Sequence, residues 1–192
     1  MRIINSLNIR TYSVKSLSYL FVSSHAVLLI MMSYTFPRIN KQIGGPAFDL
    51  RPLGYSASEA RSIFGNLNDQ TIDLYLFPQL TLLDIMYPFL LALFLSSFLF
   101  RLLRLTKKKS KVNSILLLVP FIAMIFDYLE NTCIILMITE SVEITESFVQ
   151  TSSTFSILKG VFTSIAWISI LFYSIKYARM RVLERKNKQL LA

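Results

Sequence analysis

Four stretches of the chain stay apolar long enough to cross the roughly 30 Å hydrocarbon core of a bilayer, which takes about 20 helical residues. They fall at about 17–36, 77–103, 113–139 and 154–175, separated by polar sequence. The pattern predicts an all-α protein, a four-transmembrane-helix bundle forming a single membrane domain over 1–192, with no internal repeat or low-complexity segment. The first stretch carries Ser23, Ser24 and His25 at its centre. It is too polar there, and too long, for a secretory signal peptide, so it is expected to remain as a span.

The one sizeable polar piece is the loop at 37–76. Gly44, Gly45, Pro46, Pro52 and Gly54 punctuate its first half and predict turns and extended chain. Ser56 and Glu59 then stand at capping-box spacing. A short helix near 57–64, stopping at Gly65, follows from that signal, with Ala57, Ala60, Ile63 and Phe64 on an apolar side. Such an amphipathic helix would lie at the outer interface or cover the end of the bundle. A helix that only ties down the loop is the plainer alternative.

Composition supports the membrane assignment: 54% of the 192 residues are hydrophobic and 13% aromatic, with only five Gly, far too apolar for a soluble domain of this size. The formal charge of +9 matters through its placement. Arg2, Arg10 and Lys15 precede the first span; Arg101, Arg104, Lys107, Lys108, Lys109 and Lys111 join the second to the third; six basic residues with one acid follow from Lys176. The loop at 37–76 balances four basic residues with four acids, and the third connection holds Glu140, Glu143 and Glu146 with no base. Every basic block therefore falls on one side, which predicts cytoplasmic N- and C-termini. This arrangement argues against nucleic acid as a partner. A bacterial inner (plasma) membrane is the expected location. The single cysteine, Cys133, excludes an intrachain disulfide, a paired-cysteine redox motif and a cysteine-rich metal site.

Ionisable residues inside the spans carry the candidate chemistry. In FIAMIFDYLENTCIILMI at 121–138, Asp127, Glu130 and Asn131 are spaced i, i+3 and i+4 and so share one helical face. The second span offers Thr81, Asp84 and Tyr87 on one stripe, with Pro88 removing the helical partner of the Asp84 carbonyl and predicting a kink there. The fourth offers Ser156, Lys159, Thr163 and Ala166. Each intramembrane charge costs about 2.5–3.5 kcal/mol on insertion scales, so these groups are expected to face inward and to pair, Lys159 with Asp84 or Glu130. Three acids against one lysine leave negative charge over. A protonated His25, an inward-dipping Arg51, an acid holding its proton or a bound cation would each offset it.

The series FDLRPLGYS at 48–56, DIMYP at 84–88 and DYLEN at 127–131, followed by the Ser- and Lys-bearing last span, resembles an uncharacterised group of small four-span membrane proteins with no known activity. Size, topology and two acids toward the outer face are also similar in outline to lipoprotein signal peptidase. That family's paired Asn- and Asp-bearing motifs have no match in this chain, so its catalytic residues are not carried over.

There is no histidine cluster, no Ser-His pair on outer-facing spans and no zinc-binding His-Glu motif, and neither a cofactor nor a metal is expected. Three readings follow. The first is an outward-facing polar, acidic pocket for a lipid headgroup or small polar ligand, formed by Asp84, Tyr87, Asp127, Glu130, Asn131 and Lys159 with Arg51 and Tyr55 from the loop. The second is an enzyme using Asp84 with Asp127 or Glu130 as an acid/base pair on a lipid or peptide. The third is an accessory subunit whose polar residues meet another membrane protein or a second copy. A buried cluster that only fixes helix register stands beside all three.

Overall fold

The computed structural model describes residues 13–106 and 115–190. Arg2, Arg10, Lys107, Lys108, Lys109 and Lys111, and the start of the third span expected at 113, lie outside the described residues. Among the described residues there are helices and connecting turns and no strand. Four helices, Val14–Ile43, Asp69–Leu105, Val119–Ile138 and Glu146–Asn187, are long and apolar enough to cross a membrane. Large side chains such as Leu29, Ile168, Leu171 and Phe172 are at least 60% exposed on the outside of the bundle. An apolar exterior of this kind suits a lipid surround.

Proline shapes the first two spans. Helix α1 (Val14–Ile30) passes through a π-helical segment, Met31–Thr35, into α2 (Phe36–Ile43). Pro37 lacks an N–H, and the wider turn just before it lets the helix continue past the point where the apolar pattern ends. Gly44, left-handed at φ 72°, then stops α2. The second span begins as α4 (Asp69–Leu74) and crosses a π-helical segment, Tyr75–Leu83, before continuing as α5 (Asp84–Leu105). Phe77, the residue before Pro78, is extended at φ −141°, ψ 126°, as steric conflict with a following proline demands. The main break of this span is therefore at Phe77-Pro78, seven residues before Asp84, and not at the Asp84–Pro88 kink the sequence predicts. The third span is α6 (Val119–Ile138), with Pro120 in its first turn, and the fourth is α7 (Glu146–Leu190), a single helix of 45 residues.

Between the first two spans, Phe48–Leu50 makes one 3₁₀ turn and α3 runs over Ala57–Gly65. Ser56 Oγ accepts from the Glu59 amide at 3.2 Å, and Glu59 Oε2 accepts from the Ser56 amide at 2.7 Å. Those bonds from Ser56, with Arg51 nearby, hold the Glu59 carboxyl below its usual range. The reciprocal cap is thus complete above the ordinary glutamate range and is lost only as pH falls through that lowered value.

Helices α6 and α7 pack along each other, α1 lies against α5, and α5 touches both α6 and α7. Two apolar clusters form. One gathers Phe36, Ile39, Phe48, Tyr75, Leu80, Ile134 and Met137 beneath the loop; the other gathers Leu95, Leu99, Leu102, Val119, Ala166 and Ile170 toward the opposite end. Asp84, Asp127, Glu130 and Lys159 fall between them in sequence.

The loop is seated on α7. Tyr55 donates its amide to Ser153 Oγ at 2.8 Å, and its hydroxyl lies 2.6 Å from Ser152 Oγ. Gly54 is left-handed at φ 85°, and a Cβ there would collide with Ser153 Oγ. At Gly160 a Cβ would come within 3.5 Å of the Pro52 carbonyl oxygen. Gly54→Ala should accordingly lower stability by about 1–3 kcal/mol through backbone strain and loss of this seat. Denaturant unfolding in detergent micelles measures the loss, and an unchanged midpoint would mean that the loop is not held here.

Candidate functional site

The spacing of Asp127, Glu130 and Asn131 puts them on the face of α6 that meets α7. Lys159 projects from α7 between the two acids, its Nζ 2.9 Å from Asp127 Oδ1 and in contact with Glu130 Oε2. One turn back on α7, Ser156 Oγ donates to Glu130 Oε1. Glu130 is 0% exposed. A carboxylate so placed needs both an opposite charge and donors for its remaining lone pairs, and α7 supplies the two from one face.

Asp84 is held differently. Gln79 Nε2 donates to Asp84 Oδ2 at 2.7 Å, while Thr35 Oγ1 donates to Gln79 Oε1. Thr35 ends the first π-helical segment and Gln79 lies within the second, and the two segments pack together. The expected pairing of Asp84 with Lys159 is therefore replaced by an amide relay. The reason is helical register. Across the π turn the Asp84 amide bonds to the Gln79 carbonyl five residues back, which brings Gln79 beside Asp84. Thr81, expected on the Asp84 stripe, is exposed and donates to the Leu76 carbonyl at 2.8 Å.

A fourth acid joins from the loop. Tyr75 OH donates to Asp49 Oδ2 at 2.7 Å and accepts from the Phe48 amide at 3.1 Å. Asp49, Asp84, Tyr87, Asp127 and Lys159 are among the polar residues that line one cavity of about 360 Å³, a size suited to a small ligand or a headgroup. Met31, Phe36, Leu91, Leu95, Ala123 and Met124 give it an apolar wall. Asp49 Oδ1 and Asp127 Oδ2 are buried with no hydrogen-bond partner among the described residues, as are both side-chain amide atoms of Asn131.

Of the residues expected at a pocket, Asp84, Tyr87, Asp127 and Lys159 line this cavity. Glu130 stands behind Lys159, and Asn131 is buried outside the lining. Arg51 does not reach the acids of the spans. It bonds Glu59 Oε1 at 2.7 Å and the Pro46 carbonyl at 3.0 Å, so it braces the loop. Tyr55 serves the loop seat on α7, and burial raises its phenol above the ordinary range. His25 Nδ1 lies 2.9 Å from the Phe21 carbonyl, and the ring packs on Phe21. Asp49 is absent from the sequence-based candidates because it counts there only as one charge of a polar loop. The signal that marks it is its bracketing by Phe48 and Leu50, apolar neighbours that turn this piece of loop inward.

No protein-family model, curated protein or solved structure matches the chain, so the site stands on its own geometry.

Lys159→Met leaves Asp127 and Glu130 buried without their cation and should destabilise the protein by about 3–5 kcal/mol. Adding Glu130→Gln should recover part of that loss, because the amide keeps an acceptor for Ser156 without the charge. Unfolding in detergent measures both, and a double variant equal to the sum of the two singles would sink the coupling.

Proposed function

We propose that this chain is a multi-pass integral membrane protein whose intramembrane polar pocket binds a lipid headgroup or a comparable small polar ligand. The observation that carries the reading is the cavity, charged at one part of its lining and apolar along the rest, with carboxylate oxygens of Asp49 and Asp127 left without protein donors. Buried acceptors without donors are costly, and a bound polar group would satisfy them while its hydrocarbon lies against Leu91, Leu95 and Met124.

The charge pattern supports an orientation with both termini in the cytoplasm of a bacterium and the loop, α3 and the third connection outside. In that orientation the Asp49 and Leu50 end of the pocket faces the outer side of the inner membrane. A single cysteine at Asn66, in a Cys133→Ser background, should react with an impermeant maleimide on intact cells, whereas one at Asn187 should react only after permeabilisation. Labelling of residue 187 from outside would reverse the orientation.

Ala123→Phe places a ring in the cavity while keeping every charged side chain of its lining. Lipids retained by the protein in mild detergent, measured by native mass spectrometry, should fall about tenfold in this variant, equivalent to roughly 1.4 kcal/mol. Retained lipid that is unchanged in a folded Ala123→Phe protein would remove the cavity as the binding site.

A further inference from the structure

Granted a pocket for an amphiphile, its charged lining selects among amphiphiles. The charged residues on the cavity are Asp49, Asp84, Asp127 and Lys159. Lys159 is already engaged by Asp127 Oδ1 and by Glu130 Oε2 behind it. Arg51, which could have met Asp49 from the loop, is bonded to Glu59 and Pro46, and His25 is turned to Phe21 and Ser24. What holds Asp49 and Asp84 is neutral: the Tyr75 hydroxyl and the Gln79 amide. The cavity thus sets three carboxyl groups against one ammonium, which Asp127 and Glu130 already engage.

The unmet valences point the same way. Asp49 Oδ1 and Asp127 Oδ2 are acceptors, so an occupant must bring N–H or O–H donors. A phosphate, sulfate or carboxylate head would add like charge beside three acids. Among the described residues no group of three His, Cys, Asp or Glu side chains could hold a metal ion, so the matching occupant is sought among organic cations. A primary ammonium meets each requirement, since it carries positive charge and three donors on one atom and can bond separate carboxylates.

We propose that the pocket recognises a protonated primary amine on an aliphatic chain, the ammonium lying among Asp49, Asp84 and Asp127 and the chain along Met31, Leu91, Leu95 and Met124. The same chemistry is carried by an aminolipid headgroup, a free long-chain amine and a short amine.

The test uses the full chain in phosphatidylcholine nanodiscs, titrated with dodecylamine, dodecanol, dodecanoate and ethylamine and followed by native mass spectrometry. Dodecylamine should bind at least about tenfold more tightly than dodecanol, and dodecanoate should not bind measurably. Asp49→Asn should weaken dodecylamine about tenfold and leave dodecanol unchanged. Leu50→Lys sets a cation into the lining and should exchange the preference, losing dodecylamine and gaining dodecanoate; a gain of this kind cannot come from misfolding. Displacement of dodecylamine by phosphatidylethanolamine added to the nanodisc supports recognition of a lipid headgroup, and ethylamine binding as tightly as dodecylamine supports a small free amine; both keep the ammonium. Equal binding of dodecanol, or binding of dodecanoate to the natural sequence, overturns the ammonium while leaving an amphiphile pocket. If no chain-bearing probe binds in a manner abolished by Ala123→Phe, both the selectivity and the pocket fall.

Discussion

The ammonium of Lys159 sits against Asp127 and Glu130 in a bundle whose outer surface is apolar, and the rest of the architecture accommodates that placement. Lipid offers no donors or acceptors, so an ion there must find all of its partners within the protein. The requirement fixes the rotation of α6, which must turn residues 127 and 130 toward α7. It also fixes the register of α7, which must bring Ser156 to the remaining Glu130 oxygen. The apolar clusters on either side then set the depth of the charged layer without touching its chemistry.

Much of this is legible in the sequence. The lengths of the apolar runs give the four spans, and the i, i+3, i+4 spacing of Asp127, Glu130 and Asn131 gives a shared polar face on α6. The capping-box spacing at Ser56 and Glu59 likewise marks the start of the loop helix. What the sequence does not disclose follows from two physical causes. Helical arithmetic assumes 3.6 residues per turn, and that fails across the π-helical segments, where Gln79 takes the place beside Asp84 that Thr81 would occupy in a regular helix. Loop residues carry no periodicity at all, so Asp49 gives no sign of its partner Tyr75, 26 residues away. Arg51 and Tyr55 were visible as chemistry but not as geometry, and their contacts are with the loop and α7.

Prolines do more here than interrupt helices. Pro37 and Pro78 accompany the two wide segments that bring Thr35 and Gln79 together, and Pro88 and Pro120 lie in the cavity wall. A helix in lipid is ordinarily obliged to complete its own ladder. Pro37 and Pro78 each take an N–H out of that ladder, and hydroxyls add contacts to backbone carbonyls close by: Thr35 Oγ1 lies 3.1 Å from the Met31 carbonyl and Tyr128 OH donates to the Ile85 carbonyl. The departures from regular helix lie where the polar residues gather, as such departures commonly do at functional sites.

Helix α7 runs without interruption from Glu146 to Leu190, about 67 Å at 1.5 Å per residue, more than twice the hydrocarbon thickness. The seat of the loop at Ser152 and Ser153, the cation at Lys159 and the basic residues Arg179, Arg181 and Arg185 are all fixed to this one rod. With no joint along its length, a tilt imposed on the basic end is delivered as displacement at the charged layer and at the loop. In mechanical terms the helix is a lever whose fulcrum is its packing against α6, linking the two faces of the bundle without any intermediary.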